Sequence, residues 1–165
     1  MIPEPDLPLL FLDVDGVIND IPASLGAERP WPQHRFEFGD AMICVPVFVP
    51  PLLQYLELIT EIRWLTTWGD LANLLLAPAL DIGPYPVVEP LEPPGSWWKA
   101  RAARRLAAGA LEAGRRVYWI EDFEGDLPPG MPDGVTYIDT AANGEFLLLP
   151  QHLPPELLPE GLQDI

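Results

Sequence analysis

Apolar residues follow two alternating rhythms along this chain. Short, mostly apolar runs at Leu9–Leu12, Ile62–Leu65, Val117–Ile120 and Val135–Ile138 have the length and bounding of buried strands. Val87-Val88 reads as a further short strand between the second and third of them. Between these runs the spacing turns helical. Pro50-Pro51 opens a helix that carries Leu52, Leu53, Leu56 and Ile59 on one face. Asp70 is placed to cap a helix over Leu71–Leu76, which Pro78 should break. Ser96–Ala113 is the clearest helix, with Ser96 as its cap, alanine and arginine inside, and Gly114 at its end. Residues 20–46 mix aromatic and polar positions and read as an insertion, a flap or hairpin around His34–Phe38 and Met42–Val45. The tail from Pro150 onward reads as a loop with a short terminal helix. Strands alternating with helices predict an α/β domain with a mostly parallel five-stranded sheet covered on both faces. Ligands in such sheets bind beyond the carboxyl ends of the strands.

Composition narrows the picture. The 165 residues suit a single domain, 1–165, and 48% apolar content with six tryptophans excludes compositional disorder. The 22 prolines pair up near the ends of elements, as at Pro50-Pro51, Pro93-Pro94, Pro128-Pro129 and Pro154-Pro155. A formal net charge of −16 argues against a stable nucleic-acid partner or an anionic membrane surface. The single cysteine, Cys44, excludes an internal disulfide. No basic-then-apolar leader opens the chain, and no apolar stretch approaches the ~18 residues of a membrane span, so a soluble cytoplasmic protein is expected.

The chemistry concentrates at the ends of the strands. Asp13-Val14-Asp15-Gly16 follows the first run directly, and residues two apart on a strand point to the same side, so both carboxylates can serve one site. Two neighbouring anions need a cation or a shared proton. Gly16 permits a backbone turn that other residues resist. A calcium loop of the EF-hand type also begins Asp-x-Asp, but it needs glycine sixth and glutamate twelfth. Here glycine is fourth, Ser24 is twelfth, and a strand comes first. A plain Asp/Gly surface turn is the remaining ordinary reading.

Asp-Val-Asp-Gly-Val-Ile-Asn, residues 13–19, resembles the first signature of the haloacid dehalogenase (HAD) superfamily, most members of which are magnesium-dependent phosphatases. The other elements follow in that family's order. Thr66 and Thr67 close the second strand, where the resemblance implies a hydroxyl holding a phosphoryl oxygen; Thr66 is preferred and Thr67 is the alternate. Lys99, in the first turn of the alanine-rich helix, opposes the helix dipole, which gives reason to look for an anion beside it. The family places a phosphate-neutralising lysine in this way. The ordinary alternative is an exposed lysine with its stem on tryptophan. Arg101, Arg104 and Arg105 read as a solvated face. Glu121-Asp122 resembles the fourth signature, with glutamate where the usual pair has aspartate. Asp122 is then the metal ligand, Glu121 a supporting residue or one that points elsewhere, and Asp126 a reserve ligand. Trp-Leu-Thr-Thr-Trp with Ala72-Asn73 looks like a group of small HAD-like proteins.

The resemblance implies a Rossmann-like three-layer sandwich with a flap in place of a large cap. It also implies Mg²⁺ held by Asp13, Asp122 and the backbone carbonyl of Asp15. Asp13 is the nucleophile that forms an aspartyl-phosphate, and Asp15 is the general acid and base. Haloalkanoate dehalogenation needs neither a metal nor an acid at this place, so Asp15 with Asp122 favours phosphoryl transfer. The expected partner is a phosphorylated small molecule (a nucleotide or sugar phosphate) or a nucleic-acid 3′-phosphate end. Trp31, His34 and Phe36 on the insertion are candidates for substrate contact, although aromatics in a hairpin more often pack it down. The alternative is a catalytically idle binding module of the same fold, which would have no need of Asp15.

Overall fold

The structure, a computed structural model, describes residues 7–91, 95–142 and 144–160. In chain order the strands are β1 (Leu9–Leu12), β2 (Gln33–Phe38), β3 (Ala41–Pro46), β4 (Glu61–Trp64), β5 (Val117–Glu121) and β6 (Val135–Asp139). The helices are α1 (Ile21–Ser24), α2 (Val49–Ile59), α3 (Ala77–Leu80) and α4 (Trp98–Glu112), with a π-helical turn at Ala72–Leu76 leading into α3. Two short 3₁₀ turns, Pro150–His152 and Pro155–Leu157, follow β6. Pro93-Pro94 and the end of the tail, 161–165, lie outside the described residues. No helix among the described residues is long and apolar enough to cross a membrane.

The protein is a mixed α/β fold. Its main sheet has the order β4-β1-β5-β6 with every pairing parallel, and β2 and β3 form a separate antiparallel hairpin. β1 sits in the middle, which is why all four of its side chains are buried and its sequence is a continuous apolar run. The pleat sends alternate residues to opposite faces. Leu10 and Leu12 pack with Leu52, Leu53 and Leu56 of α2 and with Ile43 and Val45 of the hairpin. Leu9 and Phe11 pack with Ala100, Ala103 and Ala107 of α4. The alanine face of α4 lets the helix lie close and leaves room for large rings on the sheet, such as Phe11 edge-on to Trp119 at 6.5 Å.

Four of the expected strands form the sheet, and the fifth does not. Val87 makes a single parallel bridge to Trp64. Trp64 N–H donates to the Pro86 carbonyl and Val88 N–H to the Trp64 carbonyl, but the prolines on either side, Pro84, Pro86 and Pro90, supply no donors to extend the ladder. The hairpin expected around 34–38 and 42–45 is present, one to two residues longer at its ends. Pro78 does not break the helix; it lies in the first turn of α3. The π-helical turn before it moves the bonding off the i−4 register that proline disrupts. Asp70 makes no side-chain cap; Leu71 holds the cap position of that turn without a side-chain bond. Ser96 does not cap α4 either. Trp97 holds that position with φ 63, and the Ser96 carbonyl instead accepts from Arg101 Nη1 at 2.6 Å.

Candidate functional site

Parallel register brings the polar strand ends to one place. Leu12 is level with Trp64 on one side and Ile120 on the other. Asp13, Thr66 and the Glu121-Asp122 pair therefore leave the sheet side by side. Asp13 N–H donates to the Ile120 carbonyl at 3.3 Å, and Leu65 N–H to the Leu12 carbonyl at 2.9 Å.

Asp13, Glu121 and Asp122 each offer a carboxylate oxygen, and these oxygens lie within 4.8 Å of one another. Lys99, from the first turn of α4, reaches into the group: Nζ is 3.0 Å from Asp13 Oδ2 and 2.8 Å from Glu121 Oε2. The dipole-opposed placement of this lysine is thus offset by two carboxylates. Asp13 and Glu121 are buried, at 5% and 8% exposure, while Asp122 is half-buried.

Three acids around one ammonium leave the cluster short of positive charge. Burial pushes the Glu121 carboxyl up to about 10, and its hydrogen bond and repulsion with Asp13 act in the same direction against the pull of Lys99. Burial also raises the Asp122 carboxyl, partly offset by a hydrogen bond from Glu121. For Lys99 burial opposes the charge, but Asp13 and Glu121 more than compensate and its value rises. Lys99 and Glu121 both rise although they are paired. The consistent assignment is a charged ammonium, with Glu121 as the acid that keeps a proton.

Gly16 makes the close approach possible. Its φ is +75°, and a Cβ built there would lie 2.6 Å from Asp122 Oδ2. The loop is held from below by Thr140, a fully buried residue whose Oγ1 donates to the Gly16 carbonyl at 2.6 Å. Asp139, at the end of β6, accepts from the N–H groups of Phe123, Gly125 and Ala141, each at 3.0 Å, and so fixes the loop that follows Asp122.

Asp15 takes a different direction from Asp13. β1 stops at Leu12, so the alternation of a strand does not govern these two residues. Asp15 Oδ1 accepts from Asn19 Nδ2 at 2.8 Å and Oδ2 from Trp68 Nε1 at 3.1 Å. Asn19 Oδ1 in turn accepts from Cys44 N–H at 3.1 Å, which wires the hairpin to Asp15. Thr66 is buried and its Oγ1 accepts from Trp68 N–H at 3.2 Å, whereas Thr67 is exposed.

The structure therefore brings Asp13, Lys99 and Asp122 into direct contact range, adds Glu121, and leaves Asp15 and Thr66 on the Trp68 side. Asp126 lies outside the carboxylate group. Trp31 donates to Asp20 Oδ2 at 3.3 Å and packs edge-on to Phe48. His34, Phe36 and Phe38 stack along one face of β2, and Phe36 and Phe38 pack against the core. Sequence reasoning missed Asp139 and Thr140, although they stand at the end of the last strand and the strand-end rule that selected Asp13 would have found them. It also missed Asp20, whose partners are far from it in sequence. No family model, no curated protein and no solved structure matches this chain.

Proposed function

We propose that the protein is a HAD-type, metal-dependent phosphomonoester hydrolase with a Rossmann-like core, acting through an aspartyl-phosphate on Asp13. The observation that carries this reading is the meeting of Asp13, Asp122 and Lys99 at the carboxyl ends of β1 and β5, around a loop that only Gly16 allows so close. The donor set fits a hard divalent cation: its three acids offer oxygens only, and their charge exceeds that of the one lysine. Asp13 and Asp122, with the Asp15 carbonyl, would hold Mg²⁺ in this reading. Bound there, the cation supplies electrostatic screening between the anionic nucleophile and the anionic phosphoryl group.

The residues divide the work. Asp13 attacks phosphorus and the bond from phosphorus to the alcohol oxygen breaks; Asp15 gives that oxygen its proton. Water then attacks the aspartyl-phosphate and loses a proton to Asp15, which releases phosphate and restores both acids. Lys99 stands against charge on the phosphoryl oxygens. Thr66 Oγ1 already accepts from Trp68 N–H, so its own proton is available to a phosphoryl oxygen. Trp68 and Asn19 orient Asp15 from both of its oxygens, and through Asn19 that orientation is tied to the hairpin.

Asp13→Asn is expected to abolish hydrolysis of p-nitrophenyl phosphate while the circular dichroism spectrum stays that of the wild type. Turnover that survives in this variant overturns the nucleophile assignment. Full turnover after exhaustive chelation overturns the metal requirement.

A further inference from the structure

We infer that the pocket beside the acid cluster receives a compact organic cation, so that the substrate is a phosphomonoester whose alcohol carries an ammonium group. This rests on the phosphohydrolase reading for its phosphoryl half. A cavity of about 260 Å³ opens next to the cluster and shares Lys99, Glu121 and Asp122 with it. Four aromatic residues, Trp97, Trp98, Trp119 and Phe123, make up most of its other walls, with Ala100, Pro128 and Asp126.

The walls are built to stay in place. Phe123 stands edge-on to Trp119 at 5.3 Å and to Tyr137 at 5.4 Å, and Asp139 holds the Phe123 and Gly125 N–H groups. Trp97 is 39% exposed on a left-handed backbone, φ 63, a conformation that a bulky residue resists.

Charge selects the occupant. The single basic group in the lining among the described residues, Lys99, is already paired with Asp13 and Glu121. Once a phosphoryl group and its counter-ion engage the cluster, the pocket still offers the partly exposed rings of Trp97 and Trp98 and the exposed carboxylate of Asp126. Ring faces and a carboxylate attract an alkylammonium group and repel a second anion. The −16 charge of the chain acts in the same sense at longer range. The volume falls below the ~300 Å³ at which pockets for drug-sized ligands begin, which suits a small headgroup.

The test compares phosphocholine with its uncharged isostere, 3,3-dimethylbutyl phosphate, with adenosine 5′-monophosphate, and with p-nitrophenyl phosphate, all in the presence of Mg²⁺. The expected kcat/KM ratio of phosphocholine to the isostere is roughly tenfold or more, and it collapses toward one in Trp97→Ala and in Asp126→Asn while Trp97→Phe keeps most of it. A ratio near one, or a preference for the nucleotide, overturns the cation site and leaves the hydrolase reading standing wherever p-nitrophenyl phosphate is still turned over. If no ester is hydrolysed, the hydrolase reading falls and the pocket is judged by binding alone. Saturable quenching of tryptophan fluorescence by tetramethylammonium, lost in Trp97→Ala, then supports a cation site, and the absence of quenching overturns it.

Discussion

Two buried anionic centres lie seven residues apart on the same stretch of chain, and they are built on opposite plans. Asp20 is fully buried and completely answered. Arg29 Nε lies 2.9 and 3.1 Å from its two oxygens, Gln33 Nε2 donates at 2.8 Å, Trp31 Nε1 at 3.3 Å and Ala23 N–H at 3.2 Å. Arg29 also bonds Glu145 through its side chain and its carbonyl, and it stacks over Trp31 at 4.9 Å. The one fully buried anion meets one cation and a ring of neutral donors, the cation also holding the partly exposed Glu145, and the result ties the start of the hairpin to the segment after β6. The Asp13 centre places three carboxylates around one lysine and holds a proton on Glu121 as a consequence. A matched charge is architecture. A crowded, undermatched one is costly to fold around, and such sites are where chemistry is done.

The comparison is broken most forcefully at Asp20. Asp20→Ala leaves the Arg29 guanidinium partly buried without its main partner, and a loss of about 3–5 kcal/mol in denaturant unfolding is expected. A loss under about 1 kcal/mol would mean that the network is not the tie described here. The next effect is smaller and acts at the other centre. Gly16→Ala forces a β-carbon to within 2.6 Å of Asp122 Oδ2 on a left-handed backbone. The expected cost is about 1–3 kcal/mol of stability, with turnover in the proposed phosphatase reaction falling about a hundredfold as Asp122 is displaced. Wild-type stability and turnover in that variant would remove Gly16 from the site.

How much of this was legible differs between the two centres for a physical reason. The Asp13 centre lies at strand ends, and strand ends are readable because an apolar run stops at a polar residue; Asp13 was located in that way, and the family resemblance singled out Thr66 and Asp122 at the neighbouring ends. Glu121 was underrated because it was read as a departure from a pattern, whereas its place as the last residue of β5 points it into the cluster. The Asp20 centre was invisible, since its side-chain partners come from nine to 13 residues away and, beyond Arg29, from Glu145. No local periodicity marks such a knot; only the docked hairpin assembles it. The strands β1 and β5 followed from burial on both faces, and β4 and β6 from short, mostly apolar runs. The Val87 bridge and the course of the chain through Pro78 did not, because both depend on backbone hydrogen bonds that neighbouring prolines redirect.

Glu121→Gln sharpens the contrast by reversing its sign. Amide replacement removes an ionisable group from the crowded centre and keeps an oxygen for Lys99 and donors for Asp13. The metal-free protein is expected to gain about 1 kcal/mol at alkaline pH, where removal of a buried charge from the matched centre at Asp20 would cost several. A clear loss in Glu121→Gln would mean that this carboxylate is as well answered as Asp20.

The last effect is a slope with pH. Glu121 rises from an ordinary 4.5 to about 10 in the folded protein, so between those values the folded chain keeps a proton that the unfolded chain has released. Its contribution is whole below the unfolded value and is lost as pH climbs toward the folded one, so stability of the metal-free protein falls with rising pH across that window. Asp122, also raised, adds to the same slope, and Lys99, raised above 10.5, extends it at the alkaline end. Unfolding midpoints measured without divalent cation from pH 5 to pH 9 should therefore decline, and the decline should be shallower in Glu121→Gln. Saturating Mg²⁺ should flatten it as well, since a cation among these oxygens removes the reason for holding the proton. An unchanged slope in Glu121→Gln would shift the proton to another member of the cluster, and with it the distinction drawn between the two centres.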